Sequence, residues 1–347
     1  MKRSLWFVAL SSLLLFSCSS EVEIYTDYKS IPVVFGLLDV KADTNFIKIT
    51  KTFCGSNDNL INANEVAQIF DSCNYPGKLD AYIVELRSVQ GQEYQPTGRK
   101  IFLDTVTIHN KHAGVFYAPH QKLYYTTEKF YENNAANKYR YRLYVIKPDF
   151  DTVTSETAVV SGDVDIYSSK MNFSSTPTDA HSTMLFSSTE GGMLYEITMK
   201  FNYREGHSGG PMTRKEVSWT YGAKNIGEYE RVPGNENLYR HYYSPNSLFI
   251  LLEQAIGNDT VWDVNHPNVV RYIDDFVVSI SAAGESLSIY SQYLQTAQSN
   301  FSLSTEYSNI KGGCGLFSSR VLVSHKVELS PGTKHDLFRE PWGFLEQ

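Results

Sequence analysis

Alternation of apolar and polar residues, the signature of strands with one buried face, recurs through most of the chain. Asn45-Phe46-Ile47-Lys48-Ile49-Thr50-Lys51-Thr52 shows it most cleanly, with period two and no Gly or Pro inside. Further strands are predicted over 31–38, 81–87, 100–108, 114–118, 139–146 and 151–160, separated by turn-forming segments. After a Ser-, Thr- and Asp-rich stretch the alternation resumes. The runs 193–203 and 215–221 read as a hairpin, and 269–280 and 319–324 as later strands. Two segments carry helical signals. Ser244-Pro245 opens one that runs to a stop at Gly257, and 285–298 places Leu287, Tyr290 and Leu294 on one face.

About seven short strands at this spacing predict an immunoglobulin-like β-sandwich over 31–162. Residues 163–190 are expected to form a linker with one short strand, 191–330 a β-rich α+β domain with two helices, and 331–347 a C-terminal tail. The fold class is therefore mainly β.

The N-terminus departs from this pattern. Met1-Lys2-Arg3 precedes an apolar run through Leu5–Leu10 and Leu13–Phe16 that is too short to span a bilayer stably, which marks residues 1–17 as a signal peptide. Ser17-Cys18 at its end resembles the bacterial lipobox, in which Cys18 is acylated and becomes the first residue of the mature chain. Residues 18–30 then form a tether, and its acidic start, Ser19-Ser20-Glu21-Val22-Glu23, resembles the surface-export signal of Bacteroidota lipoproteins; the competing reading is an ordinary solvated linker. The expected location is the outer membrane, lipid-anchored and facing the cell surface.

Composition narrows the partners. Hydrophobic residues make up 42% of 347, enough for substantial cores, and a net charge of −7 with no long basic run argues against nucleic acid. Cys54 and Cys73 bracket a polar insert and are a candidate disulfide in an oxidising compartment; two unpaired buried thiols are the alternative. Cys314 has no nearby His and reads as a packing residue.

Candidate chemistry is sparse. Gly206-His207-Ser208-Gly209-Gly210-Pro211 looks like the nucleophile loop of trypsin-like proteases, yet His207 stands where that family has Asp, and Arg204 where it has a disulfide cysteine. A glycine-rich hairpin turn explains the segment better, with hydrolysis through Ser208 kept as an alternative. His109 and His112 do not set two imidazoles toward one ion on a strand or turn. Asp274 and Asp275, adjacent in a strand, point to opposite faces; Asp163 and Asp165 share a face only if that segment is extended. Tyr239, Tyr242 and Tyr243 border a turn and are possible ligand contacts, against the commoner role of sheet packing. No catalytic residue, metal site or cofactor is assigned.

The lipobox, Val33-Val34-Phe35-Gly36, Gly114-Val115-Phe116-Tyr117, Lys138–Leu143 and the C-terminal Asn309-Ile310-Lys311-Gly312-Gly313-Cys314-Gly315-Leu316-Phe317 together resemble an uncharacterised family of Bacteroidota outer-membrane lipoproteins encoded beside TonB-dependent transporters. The resemblance implies a non-enzymatic binding or accessory role with such a transporter or another envelope partner. A surface adhesin or structural protein is the alternative. The insert between Cys54 and Cys73 has no place in the family pattern.

Overall fold

In a computed structural model of the protein, the residues described are 30–53, 60–148, 151–257, 269–299, 307–339 and 342–345; Cys18 and Cys54 lie outside them. Strands account for 50% of the chain and helices for 15%, so the protein is mainly β. The first eight strands are β1 (Pro32–Leu38), β2 (Asn45–Lys51), β3 (Asp80–Val89), β4 (Gln95–Phe102), β5 (Asp104–Ile108), β6 (Gln121–Thr126), β7 (Asn137–Ile146) and β8 (Thr152–Ala158). They are followed by β9 (Lys170–Met171), β10 (Ser182–Ser187), β11 (Leu194–His207), β12 (Met212–Asn225), β13 (Glu230–Arg231) and β14 (Leu238–Tyr243). The last four are β15 (Val269–Ala283), β16 (Cys314–Lys326), β17 (Glu328–Leu329) and β18 (Phe344–Leu345). The helices are α1 (Leu60–Ala67), α2 (Phe70–Cys73), α3 (Ser247–Gly257), α4 (Glu285–Ser299) and α5 (Pro331–Phe338).

Two hydrophobic cores form. In the N-terminal one, Val34, Ile47, Ile49 and Tyr124 from β1, β2 and β6 meet Ala81, Ile83, Tyr141 and Leu143 from β3 and β7. These positions are the apolar half of each alternating run, as period-two strands require when one face is buried. The second core gathers Tyr195, Ile197, Met199 and Phe201 of β11, Val278 and Ile280 of β15, and Leu248 and Leu252 of α3. The chain passes from one core to the other between Val159 and Val160, which belong to different clusters.

One sheet links the cores. Its order is β12-β11-β15-β16-β1-β2-β6-β5, with β18 also paired to β15. Strand β16 serves both halves: Cys314–Ser319 run parallel to β1, and Arg320–Lys326 run antiparallel to β15. Segments 31–162 and 191–330 thus share one sheet and, from Ile31 onward, one compact unit, where the sequence predicts two domains and a linker. The reason is backbone pairing across the junction, which hydrophobic periodicity does not encode.

Glycine makes the parallel seam possible. Gly315 has φ +118°, and a Cβ there would lie 2.0 Å from the Val34 carbonyl oxygen. Gly313 is nearly as constrained, with Pro32 O 2.7 Å from its would-be Cβ. Beside this close approach, Ser319 Oγ donates to Ala158 O at 2.6 Å and accepts from Val160 N at 2.9 Å. Ser318 and Ser319 are fully buried, so these bonds satisfy groups that water cannot reach.

Other expectations need revision. Residues 100–108 are two strands in different sheets, because buried Leu103 turns the chain from β4, paired with β3, to β5, paired with β6. Residues 163–190 are built into the second core through Val164, Met171, Phe173, Met184 and Phe186. The C-terminal tail is instead α5 and β18, with Trp342 and Phe344 buried, and the helices among the described residues number five where two are predicted. Cys73 is a free thiol, so the disulfide expected with Cys54 is absent.

Replacing Ser319 by Ala is expected to lower unfolding stability by about 2 kcal/mol, by stranding the buried Val160 N–H. Gly315→Ala, which forces backbone apart, should cost roughly 3 kcal/mol or more. Urea denaturation followed by circular dichroism measures both.

Candidate functional site

An apolar concavity with convergent polar groups lies on the outer face of β1 and β2, the side turned away from the N-terminal core. Period-two geometry puts Val33 and Phe35 of β1 and Lys48 and Thr50 of β2 on this face. Helix α2 and the chain from Lys111 to Gln121 rise on either side and enclose a cavity of about 480 Å³.

The flanking wall is anchored to the insert. Gln68 Nε2 donates to the carbonyls of Gly114 and Val115 at 2.8 and 2.7 Å, and Tyr117 N donates to Ala67 O at 2.9 Å. Residues 114–118 therefore do not form the predicted strand; their backbone groups bond the end of α1 and the loop after it. This turns Phe116 and Tyr117 toward the cavity, where Phe116 meets Phe53 edge-on at 6.4 Å and Tyr117 meets Phe70 at 5.6 Å.

Charge in the cavity is one-sided. Lys48, Lys51 and Lys111 line it, together with His120, and among the described residues no Asp or Glu does. Lys48 Nζ donates to Gln121 Oε1 at 3.0 Å, and Lys111 Nζ donates to Tyr117 O at 2.5 Å while lying 5.6 Å from the Phe116 ring centre. Among the described residues none of the three lysines makes an ion pair. Burial, and then the positive charge of Lys111, push the Lys48 ammonium below the usual lysine range. Free Cys73 also lines the cavity.

The predicted site residues fall elsewhere. Tyr239 and Tyr243 are buried in the second core, with Tyr243 OH donating to Asn172 O at 3.2 Å, whereas Tyr242 is 45% exposed and hydrogen-bonds Glu230. Alternation in β14 separates them: the first two face inward and only Tyr242 reaches solvent. Ser208 sits in the turn of the β11–β12 hairpin, where Gly209 adopts φ +77° and Gly210 N donates to His207 O at 2.9 Å. Among the described residues no histidine hydrogen-bonds the Ser208 hydroxyl. His109 meets His120, Nδ1 to Nδ1 at 3.3 Å, and not His112.

A bulge corrects the expectation for Asp274 and Asp275. The β11–β15 register shifts at Asn202/Tyr203, and both aspartates line one polar groove instead of opposite faces. Each has its own cation, Arg204 at 2.6 Å for Asp274 and Lys326 at 2.7 Å for Asp275. Asp163 is exposed and paired with Lys41, and Asp165 is exposed in the same segment.

Sequence reasoning missed the cavity because Lys48 and Lys51 read as the solvated face of an alternating strand. The available signal was Lys111 and Phe116 in a loop joined by chain to two other cationic strand positions, but only the fold brings them together. No protein family and no curated protein matches the sequence.

Between Tyr239 and Tyr242 sits a second outlier. His241 is buried against Tyr221 at 4.4 Å, its Nε2 has no hydrogen-bond partner, and burial, with Lys224 adding a smaller repulsion, pushes its pKa down to about 4. Its neutral form is favoured in the fold and its charged form in the unfolded chain, so stability is complete above about pH 6.5 and falls as pH drops toward 4. The loss should approach roughly 3 kcal/mol, and His241→Phe should flatten the dependence of Tm on pH across that window. For Lys48, a Lys48→Met change removes a desolvated, repelled charge and is expected to raise the stability of the ligand-free protein. Solvent screening at this half-buried position limits the gain to about 0.5 kcal/mol in urea denaturation.

Proposed function

We propose that the protein is a lipid-anchored, non-enzymatic binding component of the outer membrane, displayed at the cell surface and working with a TonB-dependent transporter or another envelope protein. The observation that carries the binding role is the cavity beside β1 and β2: preformed, walled by aromatic rings, and supplied with lysines that no carboxylate neutralises among the described residues. Binding sites are recognised by this combination of apolar walls and a few convergent polar groups. Half-buried charge without a counter-ion contributes nothing to stability and is better explained by a ligand than by folding.

In this reading the N-terminal half is an immunoglobulin-like sandwich. The order β1-β2-β6-β5 facing β4-β3-β7-β8 across one core supports it, since successive pairs of strands alternate between the two sheets as in that architecture. Anchoring rests on the leader and on Cys18, and the transporter partner on the resemblance to Bacteroidota lipoproteins. The second half, joined through β16, holds the sandwich at a fixed attitude to whatever it docks against.

Cells expressing the full chain should incorporate a fatty-acid label into the protein and lose it on Cys18→Ala. Crosslinking of intact cells followed by mass spectrometry is expected to recover a TonB-dependent transporter or another integral outer-membrane protein. Recovery of no envelope partner would remove the accessory role, and labelling that survives Cys18→Ala would remove the anchor.

A further inference from the structure

The cavity's chemistry says more than that something binds. Its floor is apolar, from Val33 and Phe35, and its sides carry Phe53, Phe70 and Phe116. A bare inorganic anion would leave that surface unused. A neutral apolar ligand would fill it but leave the half-buried Lys48 and Lys111 repelling one another without compensation. Both features are met by one molecule with an apolar body and a single anionic end.

Charge placement supports the same conclusion. Several lysines elsewhere on this acidic chain are matched: Lys78 lies 3.0 Å from Asp104, Lys129 2.8 Å from Asp43, and Lys200 2.9 Å from Glu216. Lys48 and Lys111 make no such pair among the described residues, and they stand beside apolar walls that partly shield them from water. Nearby side chains hold them in place without neutralising them, through Gln121 for Lys48 and through the Tyr117 carbonyl for Lys111. A carboxylate between the two ammonium groups would gain two charge-assisted hydrogen bonds in a partly dry site.

We infer that this cavity binds a small amphiphilic carboxylate, its anionic end held by Lys48 and Lys111 and its acyl or aryl body laid against Phe35, Phe70 and Phe116. The inference rests on the binding-protein reading above and names its ligand class. A body longer than the cavity has somewhere to go. Phe35 also forms one wall of an adjoining groove of about 470 Å³, completed by Phe46 and by Leu287 and Tyr290 of α4. Phe35 and Tyr290 meet edge-on at 6.4 Å, so the apolar track continues along the outer sheet face. Cys73, on the cavity lining, provides a reporter that does not depend on the lysines.

Isothermal titration calorimetry on residues 31–347, the compact unit, with octanoate and 4-phenylbutyrate tests the claim, with 1-octanol and octylammonium as neutral and cationic counterparts. At least one carboxylate is expected to bind at a single site, at least tenfold more tightly than the alcohol, with no binding of the ammonium. The tighter of the two carboxylates identifies an acyl or an aryl body. Lys48→Met and Lys111→Met should each weaken binding roughly tenfold with unchanged circular dichroism. Bound carboxylate should also slow alkylation of Cys73 by iodoacetamide, read by mass spectrometry, without slowing that of Cys314. Equal affinity for octanol and octanoate, full affinity in both lysine variants, unaltered Cys73 alkylation, or no binding of either carboxylate would each overturn the inference. None of these results bears on Cys18 lipidation or on crosslinking to an envelope partner, which test the broader reading separately.

Discussion

The structure depends on one strand joining the two halves of a single sheet. Half of β16 lies parallel to β1 in the N-terminal half, and the other half lies antiparallel to β15 in the C-terminal half. Phe317 of this strand is buried in the first core and Val321 in the second, four residues apart on the same face. At the junction the side chain of Ser319 ties in the segment where the chain itself crosses from core to core. Remove the close backbone approach at Gly315 and the seam cannot form, because a carbonyl oxygen occupies the place of its Cβ. The glycine-rich run that is conspicuous in the sequence is thus a packing device, and Cys314 within it is the first residue paired across the seam, opposite Val33.

This seam has consequences for the cavity. With β16 on one side and β2 on the other, β1 is an interior strand, and its outward residues cannot slide or fray as those of an edge strand can. Phe35 is held at the centre of a stiff platform between α2 on one flank and α4 on the other. Short loops and two small helices then supply the walls, and their anchoring through Gln68 and Tyr117 fixes the aromatic rings without placing any residue of the core at risk. The electrostatic cost at Lys48 is borne by a sheet whose other face is fully packed, so binding chemistry and folding stability are assigned to opposite faces of the same two strands.

Much of the architecture is legible in the chain. The apolar halves of 45–51, 81–87 and 139–146 are the buried residues of the first core, and the hairpin over 193–221 forms around the Gly209 turn. What misled was local resemblance. The Gly206–Pro211 run has the letters of a nucleophile loop but the surroundings of a turn, and Tyr239 and Tyr243, attractive as ligand contacts, are core residues by strand parity. The 163–190 segment, polar enough to read as a linker, contributes Phe173 and Phe186 to the second core because isolated apolar residues in irregular chain carry no period.

Sequence alone determined the strand-rich class and the inward and outward sides of the alternating strands, because these depend on periods that neighbouring residues specify. Tertiary structure decided the rest. The pairing of β16 with β1 joins residues nearly three hundred positions apart, and the meeting of Lys48 with Lys111 joins a strand to a distant loop. Such juxtapositions arise from backbone hydrogen bonding and from the packing of whole sheets, which no local pattern records. The cavity in which charge and apolar surface coincide could therefore be found only after the chain was folded.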